Sequence, residues 1–149
     1  MLFFFVVPYC CFFIYECIVA YFPTIQNKPG ADVVLKLLAA VLFIVGLFFY
    51  ERYYTAYTFI LFALFTLLFY LFRQFFSGFR TSYFLIAYAI ILVPFLVVNG
   101  FLTAIPVVLY NDAENLGFRI YTIPFEDTFY GMLLVFMNLA IYEKLKTKY

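Results

Sequence analysis

Five nearly unbroken apolar runs, each close to the roughly 20 residues that cross a bilayer as a helix, leave this chain few alternatives to a membrane bundle. They fall at about 2–22, 33–50, 55–72, 82–104 and 126–143. In lipid every backbone amide and carbonyl needs an internal partner, so runs of this length fold as helices. The connectors are short: 22–32 with Pro23, Pro29 and Gly30, a tight corner at Glu51-Arg52, and 73–81 with Ser77-Gly78. The exception is 105–125, which is rich in Asn, Asp and Glu. The expected fold is all-α, a polytopic transmembrane helical bundle of about five spanning helices forming a single domain over 1–149. Pro8 and Pro94 are expected to kink their helices, which neighbouring helices make tolerable.

Composition rules out several function classes. Hydrophobic residues make up 68% and charged residues 11%, against about 25% charge in ordinary soluble domains. A net charge of +1 gives no footprint for nucleic acid. The absence of histidine removes imidazole metal sites and any Ser-His-Asp or Cys-His apparatus. No Gly-x-Gly-x-x-Gly occurs, so nothing points to a flavin or nicotinamide, and no cofactor or metal is expected. Cys10, Cys11 and Cys17 all lie in the first run and read as buried, reduced packing residues. That run has no basic leader and no A-x-A-like cleavage site, so it reads as a spanning helix rather than a signal peptide.

Orientation follows from where Lys and Arg fall. Lys28, Lys36, Arg73, Arg80, Lys144, Lys146 and Lys148 belong to one side, Arg52 and Arg119 to the other. The seven-residue side is expected in the cytoplasm together with the C-terminus, as in a multi-pass protein of the cell membrane. The 105–125 loop then faces outward.

The chemistry concentrates at Thr122-Ile-Pro-Phe-Glu-Asp-Thr-Phe-Tyr130, where the polar loop re-enters the apolar phase. Pro124, Glu126 and Asp127 suit a helix start, with proline before the first turn and acids at the positive end of the dipole. A carboxyl at a lipid boundary also suits proton transfer to an oily substrate. Helical spacing sets Glu126, Tyr130, Leu133 or Leu134, and Met137 on one face. The loop adds Asn111, Asp112, Glu114, Asn115 and Arg119. A loop of about 20 residues is longer than compact proteins usually keep without a use, and Arg119 is placed to pair with one of the acids. Asn99 and Asn138 read as helix-to-helix hydrogen-bonding groups, Glu16 and Glu143 as interface anchors. The 24 Phe and 15 Tyr are mostly lipid-facing or packing residues. Aromatic faces also stabilise a cation that has no hydrogen-bonding handle.

The ends of the chain echo each other: Ile14-Tyr15-Glu16 closes the first run as Ile141-Tyr142-Glu143 closes the last. Superposing them sets Met1 opposite Thr128, so a partner for Pro124–Asp127 is expected upstream of Met1.

The runs Ser82-Tyr-Phe-Leu-Ile-Ala-Tyr, Val98-Asn-Gly-Phe-Leu-Thr103, Tyr110-Asn-Asp-Ala-Glu-Asn-Leu-Gly-Phe-Arg119 and Thr122-Ile-Pro-Phe-Glu-Asp-Thr-Phe-Tyr-Gly131 resemble the lycopene cyclase domain family. These are small membrane carotenoid β-cyclases of the heterodimeric or fused type, distinct from the flavin-dependent cyclases. The resemblance is tightest over 82–143, which reads as a complete second half beside a truncated first half. It implies two similar membrane halves, each with a Pro-x-Glu-Glu/Asp motif opening a helix. Pro124-Phe125-Glu126-Asp127 matches the second motif, so Glu126 and Asp127 inherit the catalytic role. Tyr130, Asn111, Asn115, Arg119 and Asn99 are the candidate substrate-binding residues. The implied reaction is cyclisation of the acyclic end of lycopene to a β-ring without net redox change and without a cofactor. The implied partners are lycopene or a related acyclic carotenoid, the lipid bilayer, and a second cyclase half or subunit. The alternative is a non-catalytic membrane subunit that binds carotenoid or completes a partner's site.

Overall fold

The computed structural model describes residues 3–105 and 114–146. Five helices carry the fold: α1 (Phe3–Tyr21), α2 (Pro29–Phe48), α3 (Tyr53–Leu71), α4 (Thr81–Ala104) and α5 (Phe125–Lys146). Each coincides with one of the expected apolar runs to within a few residues. α2 starts four residues early because Pro29 occupies its first turn, where a missing N–H costs nothing and φ is already helical. α1 and α4 run as continuous helices through Pro8 and Pro94. By length and hydropathy α2, α3 and α4 are long and apolar enough to cross a membrane.

The outer surface is as apolar as the interior. α2 alone exposes Val33, Val34, Leu37, Val41, Ile44, Leu47 and Phe48, a patch a water-soluble monomer does not tolerate. With lipid outside, burial gives helices no hydrophobic reason to associate, and cohesion falls to close packing and interhelical hydrogen bonds. Both are present. Phe136 of α5 is the hub of an aromatic core, its ring centroid 4.9 Å from those of Phe65, Phe69 and Phe84 and 5.3 Å from Phe79. α2 and α3 approach closely at Gly46, where a Cβ would stand 3.2 Å from Ile60 and 3.3 Å from Phe59. α3 packs α2 on one side and α5 on the other, while α1 lies against α4 and α5.

The echo between the chain ends has a physical counterpart. α1 and α5 run parallel, with Tyr15 donating to Glu143 at 2.7 Å, Lys146 paired with Glu16 at 2.6 Å, and Phe12 stacked on Tyr142. Glu16 stays partly exposed in its ion pair with Lys146. Glu143 does not: it is buried in a helix-to-helix clasp, because the Tyr15 hydroxyl gives its carboxyl a partner inside the bundle. Asn138 also departs from expectation, since its amide donates to Leu134 of its own helix rather than to a neighbour. Of the three free cysteines only Cys11 is buried; Cys10 faces outward.

At this same end Asp32 of α2 accepts from Tyr70 of α3 (2.7 Å) and from Thr81 of α4. Ser82 receives the Lys28 amide and donates its own N–H to Asn27. Lys36, Arg73, Arg80 and Lys144 each lie over an aromatic ring here. The basic residues named above thus gather at one end of the bundle, apart from Lys148, which lies outside the described residues. The described part of the polar loop, 114–125, stands at the other end.

Candidate active site

The described part of the loop is more ordered than its composition suggests. Residues 118–125 form a β-hairpin: β1 (Arg119–Ile120) pairs antiparallel with β2 (Ile123–Pro124), and Phe125 N–H donates to the Phe118 carbonyl. Its two-residue turn puts Tyr121 at φ 61°, a left-handed conformation that non-glycine residues take at a cost. Thr122 hydrogen-bonds Thr103 and so ties the hairpin to α4. The hairpin delivers the chain directly into α5, which fixes where the acids point.

Glu126 is fully buried and Asp127 is 3% exposed. Both carboxyls reach across to the first turn of α3. Glu126 Oε1 accepts from Thr55 Oγ1 at 2.6 Å and from the Leu116 backbone N–H at 2.6 Å. Its Oε2 is buried and has no hydrogen-bond partner among the described residues. Asp127 accepts from the Tyr54 hydroxyl. The loop segment 114–117 roofs the pair and is itself hung on α3. The Tyr54 amide donates to the Glu114 carbonyl at 3.1 Å, and the Arg52 guanidinium donates to the Asn115 carbonyl. Two further buried polar atoms, Asn115 Nδ2 and Thr128 Oγ1, are also unpaired among the described residues. Buried polar groups are nearly always satisfied; among the described residues three of the four unpaired ones lie in this region, the fourth being Arg73 Nη1 at the other end.

Beside the acids, α3 and α5 enclose a groove of about 290 Å³ lined by Tyr53, Tyr54, Tyr57, Leu61, Tyr130 and Leu133, with Thr58 and Glu114 at its edges. Tyr53 and Tyr57 stack along one wall, and with Tyr130 they are largely exposed on the outer face. The face expected to join Glu126 to Tyr130 and Met137 divides in two. Glu126 and Leu133 turn inward, whereas Tyr130, Leu134 and Met137 face out. Glu126 lies behind the groove wall, and Tyr54 joins that wall to Asp127.

Among the other expected site residues, Asn115 is brought to the acid pair, 1% exposed, its Oδ1 receiving the Gly117 amide. Arg119 donates to the Thr122 carbonyl within the hairpin at 3.1 Å, and Arg52 braces the roof over the acids. Asn99 is half-buried on α4, its carbonyl accepting from Thr103. Asn111 lies outside the described residues. The residues that sequence reasoning missed are Arg52, Tyr54 and Thr55, which read only as a corner and the start of an apolar run. Their one signal was that Arg52 is among the two basic residues on this side.

Fold and site together define a polytopic helical bundle that buries an acid pair under a polar roof, next to an aromatic groove. The sequence pattern of the lycopene cyclases matches residues 51–145, from the corner before α3 through nearly all of α5, and the chain belongs to that family. No curated protein and no solved structure matches it.

Proposed function

We propose that the protein is a lycopene β-cyclase in which Glu126 and Asp127 supply the acid and base. Family membership supports a carotenoid cyclase role. The observation that carries the finer reading is the burial of two adjacent carboxyls beside a tyrosine-lined groove open to the lipid-facing surface. A hydrocarbon substrate partitions into the bilayer and reaches such a groove laterally.

The reaction asks for little more than this. An acid adds a proton to C2 of the acyclic ψ-end, leaving a cation at C1. The C5=C6 π-pair attacks C1, closing the ring and moving the cation to C5. A base then removes the C6 proton, and the C5=C6 double bond re-forms. One proton enters and one leaves, so no redox partner is required. Water has to be kept from the cation, which the roof and the apolar walls accomplish. The faces of Tyr53, Tyr57 and Tyr130 provide quadrupole stabilisation along the path, on the order of 1–2 kcal/mol each where desolvated. Asn115 acts on the roof side of the site, shaping it rather than gripping a substrate that has no polar handle.

A subunit that only binds carotenoid, without completing a partner's site, differs in one readout. In lycopene-accumulating bacteria the chain is expressed alone and beside a family half that carries the first Pro-x-Glu-Glu motif. The two-halves account predicts β-ring product only in the second case. Product from the lone chain would show that one acid pair suffices, and no product in either case would favour the binding subunit. The proposed orientation, C-terminus in the cytoplasm and roof outside, rests on the gathering of basic residues at one end. Reporter fusions after Tyr149 test it, and a reporter active only outside the cytoplasm would reverse it.

A further inference from the structure

We propose that Thr55 is a positioning residue that, together with the Leu116 amide, makes Oε2 of Glu126 the single proton-delivering oxygen. The inference rests on Glu126 being the acid and assigns how that acid is held. A protonated carboxyl has one carbonyl-type oxygen that only accepts and one hydroxyl that donates. Oε1 takes two donors at 2.6 Å each, the Thr55 hydroxyl from α3 and the Leu116 N–H from the roof. Both approach the same atom, so in the acid form the proton belongs on the other oxygen. Oε2 is buried and no described residue accepts from it. An O–H held in that position has no acceptor among the described residues, which leaves it free to protonate an alkene.

Thr55 is suited to this task by its surroundings. It is fully buried on a helix of largely apolar residues, and its hydroxyl is committed to Glu126 rather than to its own helix, unlike Thr66, whose hydroxyl bonds the Phe62 carbonyl. The bond joins residues 71 positions apart and therefore couples the orientation of the carboxyl to the α3–α5 packing. Asp127 is held separately by Tyr54. Two adjacent hydroxyl donors on α3 thus keep two adjacent carboxyls of α5 in different settings, one with a bare oxygen and one not.

The consequence is facial selectivity. If only Oε2 delivers the proton, C2 is attacked from one side. In D2O the new C2 hydrogen is then deuterium at one of the two enantiotopic positions. The experiment compares wild type, Thr55→Val, Thr55→Ser and Glu126→Gln in membranes of the configuration that forms β-rings, reading kcat, KM and the C2 deuterium stereochemistry by deuterium NMR in a chiral liquid-crystalline solvent. Thr55→Val should lower kcat by about 10- to 100-fold, the scale of a misplaced reacting group, leave KM within about twofold, and scramble the C2 label. Thr55→Ser should restore rate and stereochemistry. Thr55→Val with wild-type turnover and a single labelled position would overturn the inference while an inactive Glu126→Gln left the acid assignment standing; an active Glu126→Gln would overturn both. Where Thr55→Val does not accumulate, Thr55→Ala against Thr55→Ser repeats the comparison across one hydroxyl, with the same outcomes deciding it.

Discussion

α5 buries a carboxyl at each end, and the two are handled differently. Glu143 accepts from Tyr15 at 2.7 Å, close to the Lys146–Glu16 ion pair, and neither of its oxygens is among the buried polar atoms left unpaired. Glu126, seventeen residues earlier and about 25 Å away along the helix, has two donors on one oxygen and none on the other. A satisfied buried carboxyl locks helices together. One left half-satisfied costs about 1–3 kcal/mol and persists where that cost serves a purpose. Burial alone therefore does not distinguish the two carboxyls; the unpaired oxygen does.

The largest effect expected from this contrast is at Glu126. Glu126→Gln preserves shape and the bond from Thr55 but removes the transferable proton. β-ring formation should fall by about 10²- to 10⁴-fold, the usual contribution of a general acid, with membrane accumulation unchanged. Carotenoid extracts of lycopene-producing cells provide the measurement, and wild-type-like product would break the assignment. A smaller effect of another kind is expected at the opposite end. Tyr15→Phe strips the donor from buried Glu143 and should cost about 1–3 kcal/mol of stability, read as a lower melting temperature in detergent. Turnover per folded molecule should stay within about twofold. The smallest effect is in the hairpin, where Tyr121→Gly should relieve the left-handed turn and raise stability by about 1 kcal/mol; a decrease would mean that the tyrosine side chain makes good the cost of its backbone.

Helices were legible in the sequence because a bilayer removes the competition: a 20-residue apolar run has one conformation that satisfies its backbone. α4 was expected at 82–104 and spans Thr81–Ala104. The acid pair was legible for a related reason, since Glu126 and Asp127 stand out in a chain with so little charge. What surrounds them was not. Thr55 and Tyr54 meet their carboxyls across 71 and 73 residues, and no local pattern announces which hydroxyl of an apolar helix will face which neighbour. The hairpin was hidden by polar composition and by a turn that uses Tyr121 where glycine would have signalled it. Glu143 was misread because Lys144 and Lys146 beside it suggested solvent. They do lie at the helix end, but helical rotation turns Glu143 inward toward Tyr15.

The most direct test sets the two ends of α5 against each other in one membrane preparation. Glu126→Gln and Glu143→Gln are each scored for β-ring turnover per folded molecule and for thermal stability in detergent. The account predicts that Glu126→Gln loses turnover while keeping its melting temperature, and that Glu143→Gln keeps turnover while melting lower. Turnover that survives in Glu126→Gln, or is lost in Glu143→Gln at undiminished stability, would contradict it.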